Sequence, residues 1–336
     1  MSVDELMAEV DGLLPGAALV DDLTNSNRAH VARISHDHTT YIAKRPLLAT
    51  ALASEVEALQ TLPPSTRPAL ITHGASVVVM EDLGAGESMA DLLLGTDPDR
   101  AAAALITWAT TLGAALKPTL RQGVASVAFE MDTRVDGLRL LADDFGVTVD
   151  ARVVDDIAAI HAAITGPTPW LVFGPSDACP DNNRVFADGS IKLFDFEGAS
   201  WRHASAEAAY ARAPFCTCWC VAALPPGMTD RMEQAFLAAF APPDADAFRT
   251  TIAPAAIAYC LHTFEYYQHF VETNRPMGPT DTAPSNGRQY VLARLRLIEE
   301  QRDGFPHLAL LASTLADKML ERWPEAHPMP LYRAFQ

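Results

Sequence analysis

Hydrophobic and polar positions along the chain change period once. Over roughly the first 80 residues the apolar positions alternate in short runs, the period of half-buried strands. Residues 31–35 and 40–44 are two such runs, joined by His36-Asp37-His38-Thr39, a hairpin signature. Residues 49–62 then take helical spacing, with Leu52, Val56, Leu59 and Leu62 available for one face and Pro63-Pro64 as the stop. Two further strands are expected over 69–74 and 76–80, followed by Glu81-Asp82-Leu83-Gly84. Beyond that point the pattern turns helical and alanine-rich, with helices expected over 87–95, 98–117, 133–144, 150–165, 229–240, 247–272, 288–303 and 307–322. Residues 274–287, with three prolines and two glycines, read as a loop between the last helices. A strand-rich start followed by a helix-rich remainder predicts an α+β chain with two lobes, the small one containing the sheet, and a hinge near 80–84.

Composition narrows the function without naming it. The 336 residues are 49% hydrophobic and 20% charged, enough apolar material for a core and not the balance of a disordered chain. Asp and Glu number 42 against 25 Lys and Arg, a net charge of −17. That surplus argues against nucleic acid or an anionic membrane as partner and is compatible with a cationic small molecule. The start, MSVDELMAEVDGLL, lacks the basic region of a secretory signal, and threonines interrupt the apolar stretch over 101–116, so a cytoplasmic protein is expected. The five cysteines fit reduced thiols better than a disulfide framework. Cys216-Thr217-Cys218-Trp219-Cys220 invites a metal reading, but its spacing and apolar flanks read better as a buried segment with Cys as a small hydrophobe.

The chemistry concentrates over residues 172–197. Two short strands flank an Asp188-Gly189 turn, a polar Asp177-x4-Asn182 loop precedes them, and Asp195-Phe196-Glu197 follows. A hairpin returns the chain to its starting point, so Asn182 and Asp195 become neighbours, with Asp177 one loop away. Two carboxylates and an amide oxygen form a hard oxygen site of the kind Mg²⁺ takes when it also binds phosphates. Phosphoryl transfer needs that arrangement plus a carboxylate that orients the attacking hydroxyl. The Asp-x4-Asn spacing equals that of the kinase catalytic loop, and Asp-Phe-Glu stands where kinases carry Asp-Phe-Gly. Upstream, Ile42-Ala43-Lys44 is similar to the strand that ends in the phosphate-binding lysine of kinases, and Glu55, with Glu57 as its rival, is placed on the next helix to pair with it. Glu81 and Leu83 lie in a linker that resembles an adenine-binding hinge, and Ser26 and Asn27 stand where a phosphate-covering loop is expected.

Between about residues 23 and 210 these motifs resemble the aminoglycoside phosphotransferase and choline-kinase-like family, small-molecule kinases with a protein-kinase-like fold. The resemblance implies a bilobal α+β fold in which residues 1–83 form the nucleotide-binding lobe and 84–336 the catalytic and acceptor-binding helical lobe. It implies ATP, or GTP in its place, with Mg²⁺, and transfer of the γ-phosphate to a hydroxyl of a small molecule: an aminoglycoside, another antibiotic, an amino alcohol or a sugar. By residue it implies Asp177 as catalytic base, Asn182 and Asp195 as metal ligands, and Lys44 as phosphate binder with Glu55 as its partner. Pro175-Ser176 stand where the family usually has His-Gly, which puts the geometry of the loop in question. No Gly-x-Gly-x-x-Gly is present.

Plainer readings exist for each residue. Asp and Asn also cap turns, a lysine at a strand end or a glutamate on a helix is usually solvated, and Asn183 beside Asn182 leaves the register open until the x4 spacing is applied. The aromatic run Phe264, Tyr266, Tyr267, His269 and Phe270 reads mostly as core, with Glu265 and Tyr266 as candidates for a substrate cleft. Two other function classes compete. One is a catalytically degenerate nucleotide-binding protein acting as sensor or scaffold. The other is a metal-dependent hydrolase, which Lys44 and the hinge disfavour.

Overall fold

The computed structural model describes residues 3–336 apart from 26, 27, 128–130, 132, 214, 267 and 280–282. The chain begins with helix α1 (Val3–Leu13), followed by strands β1 (Ala18–Asp22), β2 (Ala29–His36) and β3 (Thr39–Pro46), helix α2 (Ala49–Thr61), and strands β4 (Leu70–His73) and β5 (Val78–Glu81). The five strands form one antiparallel sheet in the order β1-β2-β3-β5-β4. Its central hairpin closes at Asp37 and His38, with φ of 47° and 64° between the paired His36 and Thr39. Two consecutive left-handed residues give the turn that matches the twist of the flanking strands.

Strand alternation sends successive side chains to opposite faces. Ala32, Ile34, Ala43, Val77 and Val79 turn to one face, where Leu6 and Val10 of α1 cover them. Val78 and Met80 turn to the other and join the main core, together with Leu52, Ala58 and Leu59 of α2. Lys44, next to Ala43, therefore faces the interior between the lobes. The small lobe thus contains a second helix, α1, and an outer strand, β1, beyond the expected elements. All five β1 residues are exposed, so no alternating pattern marks that strand.

The larger lobe comprises helices α3 (Met89–Leu94), α4 (Pro98–Leu116), α5 (Asp136–Asp144), α6 (Ala151–Ile164), α7 (Ala204–Ala209), α8 (Met228–Phe240), α9 (Ala245–Arg249), α10 (Ile252–Glu265), α11 (Gly287–Glu299) and α12 (Pro306–Arg322). Between these lie β6 (Arg121–Ala125), β7 (Gly166–Gly174), the hairpin β8 (Asn183–Val185) and β9 (Ile191–Leu193), and β10 (Ser200–His203). β7 is the middle strand of a small β10-β7-β6 sheet. Its Gly166-Pro167-Thr168-Pro169 start looks like a loop in sequence, which hides the strand. The helix expected over 247–272 is divided into α9, α10 and a π-helical turn, Gln268–Glu272. Pro254 explains the first division, because a residue without an N–H is tolerated only in a helix's first turn and α10 begins at Ile252. α5 approaches α10 so closely that a Cβ on Gly137 would meet the Glu265 nitrogen at 2.6 Å. Among the described residues no helix is long and apolar enough to cross a membrane.

Candidate active site

Lys44 is the centre of the inter-lobe charge cluster. β3 delivers it from the sheet and α2 delivers Glu55, whose Oε2 accepts from Lys44 Nζ at 2.7 Å. Asp195, from the segment after β9, accepts from the same ammonium, and Glu197 stands 3.9 Å from it. Lys44 is 6% exposed and Glu55 fully buried. Burial pulls the lysine down, but the two carboxylates outweigh it and hold the ammonium above the usual lysine range. Burial pushes the Glu55 carboxyl up, with Lys44 opposing. Glu57, the rival, turns away and accepts from the Trp201 indole at 3.2 Å. Asp195 occupies φ of 66°, a left-handed conformation that costs a non-glycine residue roughly 1 kcal/mol or more. The ion pair to Lys44 offsets that strain and fixes one carboxylate oxygen, leaving the other for a further partner.

The loop between β7 and β8 carries the other predicted residues. Ser176, also left-handed at φ 73°, donates its backbone N–H to Glu207 Oε1 at 3.0 Å. Glu207 is buried and lies 3.6 Å from the Arg202 guanidinium. This anchor holds the loop where Pro175-Ser176 replace the expected His-Gly. Asp177 Oδ1 accepts from Thr217 Oγ1 at 2.6 Å and from the Tyr210 hydroxyl at 3.4 Å. Burial raises the Asp177 carboxyl; Thr217 opposes, and the Asp181 and Asp195 charges add to the rise. Asn182 donates through Nδ2 to the Asp177 carbonyl at 2.9 Å, and its own carbonyl accepts from the Phe194 N–H at 3.0 Å. That second bond is the closure of the hairpin, and it brings Asn182 beside Asp195. Asn183 is different. Fully buried, it accepts from the Met89 N–H at 2.9 Å and donates to the Cys179 and Pro180 carbonyls.

Lys44, Glu55, Asn182, Asp195 and Glu197 line a cleft of about 430 Å³, and Asp177 lies on the loop beside it. Val31, Ile42, Met80 and Leu83 supply apolar walls; Lys44, Asn182 and Asp195 supply a polar end. At the hinge, Glu81 accepts from Lys192 Nζ at 2.9 Å through its carboxylate and donates its backbone N–H to the Ala69 carbonyl at 2.8 Å. Asp82 bonds the Arg33 guanidinium at 2.7 Å, which ties the hinge to β2. Ser26 and Asn27 lie outside the described residues; their neighbour Arg28 pairs with Glu197 at 3.0 Å. A larger cavity, about 760 Å³, lies in the helical lobe against Ile252, Ala256, Leu292 and Leu297. No motif residue lines it, and its Arg212, Arg249 and Arg296 are each paired with carboxylates. The inter-lobe cleft is the candidate site on chemical grounds.

Lys44, Glu55, Asn182 and Asp195 thus meet in one cleft walled by the hinge, with Asp177 on the loop beside it. Sequence reasoning did not find Thr217, Tyr210 or Glu207. All three reach the loop from 30 or more residues away and carry no local signal.

No family model matches the chain, and no curated protein matches it in sequence. Solved structures do match in fold. Choline kinase from Cryptosporidium parvum Iowa II aligns with a TM-score of 0.53 at 10% identity, over 94% of this chain and 99% of that one. The aminoglycoside phosphotransferase APH(4)-Ia aligns with a TM-score of 0.50 at 10% identity, over the same shares of the two chains. The bilobal fold of small-molecule kinases therefore extends over nearly the whole chain, including the helical third where the sequence offered no motif.

Proposed function

We propose that the protein is an ATP- and Mg²⁺-dependent kinase of the aminoglycoside phosphotransferase and choline-kinase-like family, transferring the γ-phosphate to a hydroxyl of a small molecule. The observation that carries this reading is the buried Glu55–Lys44–Asp195 chain at the polar end of an apolar-walled cleft, with Asn182 and the Asp177 loop beside it. A structural ion pair does not need a third, half-exposed carboxylate strained into place beside an amide.

In this reading residues 1–83 and 84–336 are the two lobes that clamp the nucleotide. The base lies between Val31, Ile42, Met80 and Leu83, against the backbone of Glu81 and Leu83. Lys44 presents a fixed ammonium to the phosphate oxygens, and Glu55 keeps that ammonium from turning away. The donor set fits Mg²⁺, since Asn182 and the second oxygen of Asp195 are hard ligands with few protein competitors. When bound, the cation supplies charge neutralisation at the transferred phosphate. Asp177 receives the acceptor hydroxyl on the oxygen that Thr217 leaves open, orients it and accepts its proton. The raised carboxyl brings its proton affinity closer to that task. The net charge of −17 supports a cationic acceptor of the aminoglycoside or amino-alcohol class.

The test is an acceptor panel scored by ADP formation, aminoglycosides and amino alcohols first, with Asp177→Asn alongside. Turnover on one class with loss of about 10³-fold in the variant, and an unchanged nucleotide-induced thermal shift, is the expected result. Retained turnover in the variant removes Asp177 from the role. A nucleotide-induced shift with no ADP formed on any acceptor favours the degenerate sensor instead.

A further inference from the structure

The cysteine segment gains a new meaning once its neighbours are known. Cys179 and Asp181 of the Asp177 loop meet Cys218, and one ligand atom from each lies within 4.8 Å of the other two. Cys218 Sγ stands 3.7 Å from Asp181 Oδ1 and 3.0 Å from Cys220 Sγ. Around a tetrahedral Zn²⁺, with bonds of about 2.3 Å to sulfur and 2.1 Å to oxygen, sulfur and oxygen ligands sit about 3.6 Å apart. The Cys218–Asp181 separation already has that value. Asp181 is also held for the purpose, because the Trp219 indole N–H donates to Oδ2 at 2.7 Å and leaves Oδ1 to the thiol. An outer partner that fixes a ligand's orientation is the usual accompaniment of a metal site. Cys179, Cys218 and Cys220 are all buried, so water does not compete.

We propose that Cys179, Cys218 and Asp181 bind one thiophilic divalent cation, Zn²⁺. Packing of cysteine as a small hydrophobe accounts for the burial but not for a carboxylate aimed at a thiol and braced by an indole. The site is chemically distinct from the hard-oxygen cleft, because soft thiolates select Zn²⁺ over Mg²⁺. It joins the 177–182 loop to the 215–220 segment, and Cys179 Sγ lies 3.2 Å from the Tyr210 hydroxyl and 3.8 Å from Thr217 Oγ1, the two groups bonded to Asp177. Zn²⁺ there fixes the partners of Asp177 without touching substrate. The proposal does not depend on phosphotransfer.

The full chain, reduced and freed of metal with a chelator, is titrated with Co²⁺ and then Zn²⁺. Expected is one equivalent of Co²⁺ with thiolate charge-transfer absorption and tetrahedral visible bands, displaced by Zn²⁺. Binding weakens as pH falls, since the thiols must lose their protons. Cys179→Ser and Cys218→Ser lose the bands, and Cys216→Ser keeps them. Alkylation in mild urea gives a readout without variants, in which Zn²⁺ protects Cys179 and Cys218 and leaves Cys216 open. No charge-transfer band in the wild-type protein, a band that survives the Cys179→Ser/Cys218→Ser double variant, or a Cys218–Cys220 disulfide in freshly isolated protein each overturns the proposal.

Discussion

Replacing Lys44 by Met separates the cost of burying a charge from the chemistry of the cleft. The substitution keeps the unbranched apolar stem of the side chain and leaves Glu55, fully buried on α2, without its ammonium partner. At neutral pH the carboxyl then has two options, to stay ionised in the core or to take up a proton. Protonation sets the ceiling. From an unfolded value of about 4.3 to pH 7 it costs about 2.7 × 1.36, or roughly 3.7 kcal/mol, within the range of about 3–5 kcal/mol for breaking a buried pair from one side. Glu55→Gln is milder, since Lys44 keeps Asp195 and the amide can still accept; about 1–2 kcal/mol is expected. The two variants also differ in pH dependence. Glu55 of Lys44→Met titrates higher when folded than unfolded, so the folded state is favoured below the unfolded value and loses stability as pH rises through the folded one. The deficit should fall to about 1 kcal/mol near pH 5, where protonation costs only about 0.7 × 1.36 kcal/mol. Urea unfolding at both pH values, with Lys44→Met/Glu55→Gln completing the cycle, measures all of this. A Lys44→Met deficit independent of pH, or smaller than that of Glu55→Gln, would refute the reasoning.

The two adjacent asparagines should separate cleanly. Asn183→Ala strands the Met89 N–H and two carbonyls in the core and is expected to cost about 2–4 kcal/mol, whereas Asn182→Ala should cost under about 1 kcal/mol while removing turnover; urea titration and ADP formation decide it. His203 caps α7 by accepting the Ser205 N–H at Nδ1, and burial pulls its pKa down to about 4. Its contribution is therefore complete above the unfolded value of about 6.5 and is lost as pH falls toward 4. The His203→Asn variant, which retains a capping oxygen, should show a flatter stability profile across that interval, and an identical slope would remove His203 as its source.

The part of the site legible in the sequence is the part built by local chain geometry. Asp188-Gly189 forces a turn, the turn forces a hairpin, and the hairpin puts Asn182 against Asp195 whatever surrounds it. Lys44 was legible because Ile42-Ala43-Lys44 is similar to the strand that ends in the phosphate-binding lysine of kinases. The choice between Glu55 and Glu57 was not, because two residues apart on one helix they differ only in which side α2 packs, and that is decided by Leu52, Ala58 and Leu59 meeting the core. Thr217, Tyr210 and Glu207 act on the Asp177 loop across large sequence separations and leave no periodicity. In the fold, α1 was missed although Leu6 and Val10 carry helical spacing, and β1 because no face of it is buried. The expected helix over 247–272 failed at Pro254, which serves as a helix start in the structure and not as an interior break.

β1 closes one side of the five-stranded sheet with its outer backbone edge turned to solvent, and Leu19 and Val20 are 44% and 53% exposed on it. A bare strand with apolar side chains is a template on which another chain can add. Asp21 and Asp22 follow immediately and place two carboxylates beside that template, so any copy approaching in register brings like charge against like. The surplus of acidic residues thus has a local colloidal use: the net charge keeps molecules apart at long range, and this pair guards the seam at short range. Neutralising both with Asn should speed aggregation in solution, most of all at high ionic strength, where the −17 overall charge is screened and the strand edge is left to its own chemistry.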